Sequence, residues 1–356
     1  MGHQITLPNA GRINAMVSMK DISAACGVSV ATVSKALNDH SDVGEETKNR
    51  IRQVAKEMGY FPNSSARTLK TNRSYNIGVL FVDEVPQSGL THDYFASILD
   101  SFKVTVEAKG YDITFINCNN LRKGRLSYLE HSKFRAVDGV LIACVNFEDP
   151  EVKELAESDV PVVTIDYRFE DRLSVESDNR KGIRDLLTYV YEQGHRKIAY
   201  IHGQSHSDVT CTRMKSFLQA AKELGLEIPD DYILEGKYRD IPSAAKHTAT
   251  LLNMNDRPTC IIYPDDYSAV GGMNEIRARG LMVPDDISIA GYDGINIAAQ
   301  IEPCMTTISQ DTRVIGRVAA ENLIELIEKP KSASIEHVVV EGVLRTGRSV
   351  RKLRTT

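Results

Sequence analysis

Two series of short apolar runs, each run followed by a helical stretch, constrain this chain more than any other feature of it. The first series is Ile77 to Val82, Ile113 to Asn117, Val140 to Ala143 and Val162 to Ile165; the second is Ile198 to His202, Ile233 to Glu235, Cys260 to Tyr263 and Ile287 to Tyr292. Runs this short and this rich in Val and Ile are strands buried on both faces, which requires helices on both sides of the sheet. The intervening stretches supply that cover, so the expected body is two doubly wound parallel sheets. At 356 residues the chain exceeds one ordinary core, and a split body with a smaller head fits the usual size of a domain. No apolar run approaches the roughly 20 residues of a membrane helix, and the first eighteen residues lack the organisation of a secretory signal. The expectation is a cytoplasmic protein with no membrane partner.

Before the first strand the period is different. Met19 to Tyr60 reads as three short helices. Ser18 and Asp21 form a capping-box pattern before the first, with Ile22, Ala25 and Cys26 inward and Gly27 as the stop. Ser29 can cap the second, which buries Val33 and Leu37. The third is expected from about Glu45 to Met58, with Ile51, Val54, Ala55 and Met58 inward and Glu45 and Glu46 favoured by the helix dipole. Beyond it, Asn63 to Lys70 looks like a helix too short to persist alone in water.

The net charge of −5 hides an asymmetry: residues 1–73 carry ten Lys and Arg against six Asp and Glu, whereas the remainder carries 33 against 42. A basic head on an acidic body suits a protein that places only its head on phosphates. Six cysteines (Cys26, Cys118, Cys144, Cys211, Cys260, Cys304) lie far apart, as small buried thiols do and as a zinc knuckle or disulfide scaffold does not.

The second helix leaves Ser29, Val30, Ala31, Thr32, Ser34, Lys35 and Asn38 exposed, the set a recognition helix needs. Hydroxyls of Ser29, Thr32 and Ser34 can donate to phosphate oxygens, Lys35 can reach a guanine edge, and Val30 or Ala31 can meet a thymine methyl. A generic three-helix bundle with a polar face is the bland alternative. The string itself decides between them. Met19-Lys-Asp-Ile-Ser-Ala-Ala-Cys-Gly-Val-Ser-Val-Ala-Thr-Val-Ser-Lys-Ala-Leu-Asn38 closely resembles the opening of the LacI/GalR (lactose/galactose repressor) family. The resemblance continues through Glu45-Glu-Thr, Gly59-Tyr60, Pro62-Asn63 and Ala66-Arg-Thr-Leu-Lys70. In the body it covers Asp138-Gly139, Pro161, Asp166, Gly194-His195, Arg213, Asp266, Pro284-Asp285, Gly291-Tyr-Asp293 and Thr306-Thr307. Two departures are local: Gly44 replaces the usual Ser cap of the third helix, and Cys304-Met305 replaces a Pro-Leu pair.

The resemblance implies a transcription regulator, most plainly a repressor, that binds double-stranded operator DNA as a homodimer under the control of a small-molecule effector. It implies that Asn63 to Lys70 is a hinge helix formed on DNA, with Leu69 wedging into the minor groove, a role whose chemistry suits an apolar side chain at a soft step. Leu69 stapling the linker to the body is the alternative. Ser18, Tyr60, Asn63, Ala66 and Lys70 join the implied DNA contacts.

Ligands of doubly wound sheets bind at the carboxyl ends of strands. Asp166, Asp265 and Asp293 lie at or just after expected strand ends, and Arg213 lies early in the helix after Ile198 to His202. Carboxylates with one Arg and a flanking aromatic suit a sugar, whose hydroxyls donate to the acids and whose apolar face covers a ring. The resemblance places Asp166, Arg213, Asp265 and Asp293 on effector positions and Tyr238 where relatives stack an aromatic. With no Trp in the chain, Tyr94, Phe95, Phe147 and Tyr267 are the other candidate rings, each with core packing as its alternative. A sugar is the expected effector and a nucleobase acting as co-repressor the runner-up. Neither a cofactor nor a metal is expected. His202 and His206 straddle Gly203 rather than share a helix face, and Asp265-Asp266 has no third ligand at usable spacing, so a helix-capping or ligand role is expected of it.

The expected layout is an extension over 1–17, a helix-turn-helix domain over 18–60, a hinge and linker over 61–75, a two-lobed effector domain over 76–345 and a tail over 346–356. Within the body, 76–177 and 308–330 are assigned to the N-terminal lobe, 178–307 and 331–345 to the C-terminal lobe. A solute receptor on this fold needs an export signal and has no basic head. An enzyme needs a phosphate loop, a nucleophile elbow or a Cys/His constellation, and none is present.

Overall fold

The chain divides into two compact units with the boundary between Ser74 and Tyr75. The computed structural model describes residues 17–60, 73–82, 89–117, 120–121 and 124–353.

In the head, α1 (Met19–Cys26), α2 (Val30–Leu37) and α3 (Glu45–Glu57) follow one another with short turns. The Asp21 carboxylate opens α1 by accepting from both the backbone N–H and the hydroxyl of Ser18, at 2.8 and 2.7 Å. Gly27 ends it at φ +64°, a left-handed turn that a Cβ would strain. Ser29 caps α2 by accepting from the Thr32 N–H at 3.1 Å. Gly44 opens α3 in an extended conformation without a side-chain cap. Ile22, Cys26, Val33, Ala36, Val43, Ile51 and Ala55 form the core. Ala25, expected inward, is exposed, and Ala36 is buried instead. On an eight-residue helix the inward stripe is narrow, and Ile22 with Cys26 at i, i+4 fill it.

The body begins with β1 (Asn76–Phe81), α4 (Asp93–Ala108), β2 (Asp112–Ile116), α5 (Tyr128–Phe134), β3 (Gly139–Ala143), α6 (Pro150–Glu157), β4 (Val162–Ile165) and β5 (Leu173–Ser177). It continues with α7 (Asn179–Glu192), β6 (Ile198–His202), α8 (Asp208–Glu223), β7 (Ile233–Glu235), α9 (Ile241–Leu252), β8 (Cys260–Ile262), α10 (Asp266–Ala278), β9 (Ser288–Ala290) and α11 (Asn296–Gln300). The chain then returns through β10 (Thr307–Ser309), α12 (Thr312–Glu328), β11 (His337–Val340) and β12 (Val343–Arg345). The first lobe is a six-stranded sheet, β11-β5-β4-β3-β1-β2, and the second a four-stranded one, β9-β8-β6-β7. Every pairing in both is parallel, as helical crossovers demand. Alternate residues of β3 face opposite layers. Leu141 joins Ile98, Phe102, Ile315 and Leu323 under α4 and α12, whereas Val140 and Ile142 join Leu80, Leu155 and Val162 on the other side. The second lobe is built the same way, with Tyr200, Phe217 and Ile262 on one face and Ile201, Met273 and Ile289 on the other.

Three expected assignments change. Residues 331–345 were placed in the second lobe, yet β11 pairs with β5 and completes the first lobe's sheet. β5 itself was missed because Leu-Ser-Val-Glu-Ser breaks the apolar run; its Ser174 is buried and its hydroxyl meets His337 Nδ1 at 2.8 Å. The expected tail over 346–356 is, as far as it is described, part of the second lobe. Ser349 is fully buried and Val350 belongs to the core. The chain therefore passes between the lobes near Asp178, between β9 and β10, and again after β11. The first and third passages are tied by the Asp178 N–H donating to the Val340 carbonyl at 2.8 Å. No helix among the described residues is long and apolar enough to cross a membrane.

Candidate functional site

On the head, α2 presents Ser29, Val30, Ala31, Lys35 and Asn38 to solvent, with Thr32 and Ser34 half-buried. Several of these side chains already have local partners. The Ser29 and Thr32 hydroxyls meet at 2.9 Å, and Asn38 Nδ2 donates to the Ser34 carbonyl at 2.7 Å. Lys35, the one charged residue of α2, is ion-paired with Asp42 in the turn before α3. Ser18 is exposed at the start of α1, whereas the Tyr60 ring packs against the head core. Asn63, Ala66, Leu69 and Lys70 lie outside the described residues.

Between the two lobes of the body lies a cavity of about 270 Å³ at the carboxyl ends of the strands. Its wall includes Tyr94, Phe95, Phe147, Asp166, Arg213, Tyr238 and Asp293, which is where parallel sheets leave backbone groups and loops free to meet a ligand. Asp166 follows β4 and Asp293 follows β9, each with positive φ, 59° and 100°. Among the described residues eight non-glycines have positive φ, and four of them, Cys144, Asp166, Arg239 and Asp293, line this cavity. Such strain concentrates at binding sites because the surrounding packing imposes it.

Burial raises both acids. Asp166 accepts from the Tyr94 hydroxyl at 2.9 Å and is pushed up to about 6. Asp293 accepts from Gln310 Nε2 at 2.6 Å and, with Arg213 only 4.0 Å away, is still pushed up to about 7. Arg213 is held on three sides: Nε donates to Asn179 Oδ1 at 2.8 Å, one Nη donates to the Pro264 carbonyl at 3.0 Å, and its carbon lies 3.6 Å above the Tyr292 ring. Tyr238 approaches because residue 203 is glycine, where any Cβ would overlap the ring; its hydroxyl meets Thr210 at 2.9 Å. Phe147 and Tyr167 stack in parallel at 4.2 Å on the opposite wall. His92 lines the cavity with a buried Nδ1 that has no hydrogen-bond partner among the described residues, and burial lowers it to about 4, so its ring is neutral.

Two expected effector residues are not on the wall. Asp265 caps α10, accepting from the Ser268 N–H and hydroxyl and from the Arg239 N–H, each at 2.8 Å. These three hydrogen bonds fix the backbone beside Tyr238. Tyr267 instead donates to Asp93 Oδ2 at 2.7 Å, linking the lobes beside the cavity. Conversely, His92, Cys144, Asn146, Tyr167, Gln204, Arg239 and Gln310 line it and were not singled out. Applying the strand-end rule to β3 and β6 points to Cys144 and Gln204; Gln310 follows β10, which the sequence did not reveal as a strand. Asp266, adjacent to the site, is buried and accepts from Thr307 Oγ1 at 2.7 Å and the Ile295 N–H at 2.9 Å, so it braces the β9 loop. Among the described residues no group of three His, Cys, Asp or Glu side chains could hold a metal ion.

Comparison with known proteins bears on both sites. Residues 18–63 match the family described as "Bacterial regulatory proteins, lacI family", and residues 187–350 match the periplasmic binding protein-like domain. The HTH-type transcriptional repressor PurR of Vibrio parahaemolyticus is 32% identical over 343 residues, 95% of this chain and 100% of that protein. The Lac repressor dimer bound to operator and the anti-inducer ONPF superposes with a TM-score of 0.81 over 95% of this chain and 100% of that one, at 22% identity. The complex of the regulator CelR with cellobiose superposes with a TM-score of 0.68 at 25% identity, over 94% of this chain and 99% of that one.

Proposed function

The chain belongs to the LacI family of bacterial regulatory proteins, and from that premise we propose that it binds a pseudo-palindromic operator as a homodimer and takes a sugar or sugar derivative as effector. It is a DNA-binding transcriptional regulator and not an enzyme. The observation that carries the effector reading is the pair of buried carboxyl groups, Asp166 and Asp293, facing one cavity with the immobilised Arg213 among aromatic walls. Hydroxyls both donate and accept, so a polyol satisfies acids in either protonation state, while rings such as Tyr238 and Phe147 cover its apolar faces. A phosphorylated ligand meets four acids, Glu148, Asp166, Asp208 and Asp293, against two arginines, Arg213 and Arg239. That the regulator CelR is solved with cellobiose supports the same class.

The nucleobase reading has one observation in its favour: the parallel Phe147–Tyr167 pair offers a flat surface to a planar ring. A thermal-shift screen with neutral sugars, sugar phosphates and nucleobases separates the two. A ligand at a hundred times its Kd stabilises by about 2.7 kcal/mol. A shift confined to nucleobases overturns the sugar reading.

For the assembly, exposed Val104 on α4 and Phe115 on the neighbouring edge strand β2 supply apolar surface for a second copy. Residues 61–75 are assigned as hinge and linker, with Leu69 as the minor-groove wedge; most of that segment lies outside the described residues. In the head, the exposed face of α2 reads base edges and Lys35 is its guanine donor.

A further inference from the structure

We propose that Asp42 is a specificity-determining residue of the DNA-reading head, one that cancels Lys35 as a phosphate-binding cation while leaving it donors for a base edge. The inference rests on the reading of the head given above.

The starting point is where the positive charge lies. Residues 1–73 carry four more cations than acids, yet residues 17–60 hold six Lys and Arg against six Asp and Glu. The whole excess comes from Arg12, Arg67, Lys70 and Arg73, outside the three helices. Within the helical unit three of the six acids, Asp39, Asp42 and Glu45, are seated on cations. Asp39 meets Lys48 at 3.0 Å and Arg52 at 2.7 Å, and Glu45 meets Lys48 at 2.8 Å. Lys35 is engaged in the same way, by Asp42 seven residues on. The hydrogen bond from Lys35 is the first cause holding the Asp42 carboxyl below its ordinary range.

An ammonium group has three donors, and Asp42 takes one. Both side chains are about half exposed, 50% and 53%, so the remaining donors stay accessible. Pairs of this exposure add little to folding stability, so what Asp42 changes is the charge that approaching DNA meets. Binding to arbitrary DNA is driven by neutralising phosphates and releasing their counterions, to which a paired lysine adds almost nothing. A guanine edge asks for donors rather than net charge, and a lysine tethered at one N–H has lost part of its freedom before it arrives. Asp42 thus suppresses the sequence-independent contact and keeps the sequence-dependent one, a repulsive element of the kind that specificity requires.

The test needs neither a known operator nor a known effector. Wild type, Asp42→Asn, Lys35→Ala/Asp42→Asn and Glu57→Gln are titrated against a random-sequence duplex and a duplex enriched by in vitro selection with the wild type, from 50 to 200 mM salt. In Asp42→Asn the freed lysine gains a phosphate contact, so binding to the random duplex tightens. Its log–log salt slope steepens by about 0.9 per head, and the ratio of selected to random affinity falls about threefold or more. The double variant returns random-duplex binding to the wild-type level. Glu57, whose carboxylate accepts from Gln53 at 2.7 Å, controls for the loss of one negative charge. A wild-type slope and ratio in Asp42→Asn overturn the inference, as does an equal effect of Glu57→Gln. Absence of binding to any duplex by the wild type instead overturns the reading of the head, and this inference with it.

Discussion

Asp293 carries conflicting demands in one side chain: it must stay buried, face Arg213 at 4.0 Å and accept from Gln310, all in a backbone conformation with φ of 100°. Its carboxyl, raised by burial to about 7, and that of Asp166, raised to about 6, cost stability when they ionise in the folded state. Because these folded values lie above the unfolded 3.8, the folded protein holds more protons between about pH 4 and 7. Stability from this source is complete at acid pH and lost as pH rises through 7. Asp293→Asn removes part of that loss. The melting temperature of the wild type should therefore fall relative to Asp293→Asn as pH is raised from 4.5 to 8, followed by scanning fluorimetry; a constant difference contradicts the raised value. Asp166 and Asp293 were legible because the strand-end rule places them without any knowledge of side-chain direction, whereas Arg213, inside α8, was legible through the family resemblance. Asp265 obeys the same rule but turns into the first turn of α10, and Tyr267 points to the opposite lobe. Asp265 finds its partner Ser268 three residues on, a local capping pattern, whereas Tyr267 takes Asp93 from the other lobe, and no local pattern encodes that.

The elements that were legible share one property, a near-continuous apolar run. β1, β3, β4, β6 and β8 have it because both faces of a central parallel strand are covered. β5 does not, and β11, although it carries Val338-Val339-Val340, is exposed at His337 and Val339 and takes its identity from a distant partner, with His337 opposite Ser174 in the sheet. The last described residues teach the same lesson. Ser349 Oγ donates to the Ile289 carbonyl at 2.7 Å and accepts from the Thr306 N–H at 2.8 Å, and the Ile289 N–H donates back to the Ser349 carbonyl at 2.9 Å. A segment whose sequence reads as a polar tail is thus stitched between β9 and β10. Ser349→Ala should cost about 1–3 kcal/mol in urea unfolding, because it strands a buried donor and a buried acceptor. Val343→Thr, at a position 66% exposed, should change stability by less than about 0.5 kcal/mol. Equal effects of the two would mean that Ser349 is not the clasp.

At the scale of the whole molecule the sequence divided the labour correctly between a DNA-reading head and a two-lobed body, but the lobes are interwoven by three passages of the chain, and that arrangement suits coupling. Asp166 belongs to one lobe and Arg213 to the other, with Asp293 at the crossing between β9 and β10, so a ligand touching all three sets the angle between the lobes. In the proposed homodimer, an equilibrium between lobe angles is linked to operator affinity through the segments 61–75. A ligand that favours one lobe angle shifts that equilibrium by its difference in affinity for the two states and by nothing else. A coupling of about 1–3 kcal/mol alters operator affinity 5- to 150-fold. An inducer is a ligand that favours the state with weaker operator binding, and a co-repressor one that favours the tighter state. Asp293→Asn should leave operator affinity without effector within about threefold of wild type, since the head is untouched, and abolish the response to effector, since the contact that discriminates the two lobe angles is gone. The measurement is a DNA titration by anisotropy with and without the ligand identified in the thermal-shift screen, on wild type, Asp293→Asn and Arg213→Ala. Loss of the buried Arg213 can also lower stability, so its melting temperature is recorded alongside. If both variants respond like wild type at saturating ligand, the effector binds elsewhere, even though the chain remains a LacI-family regulator.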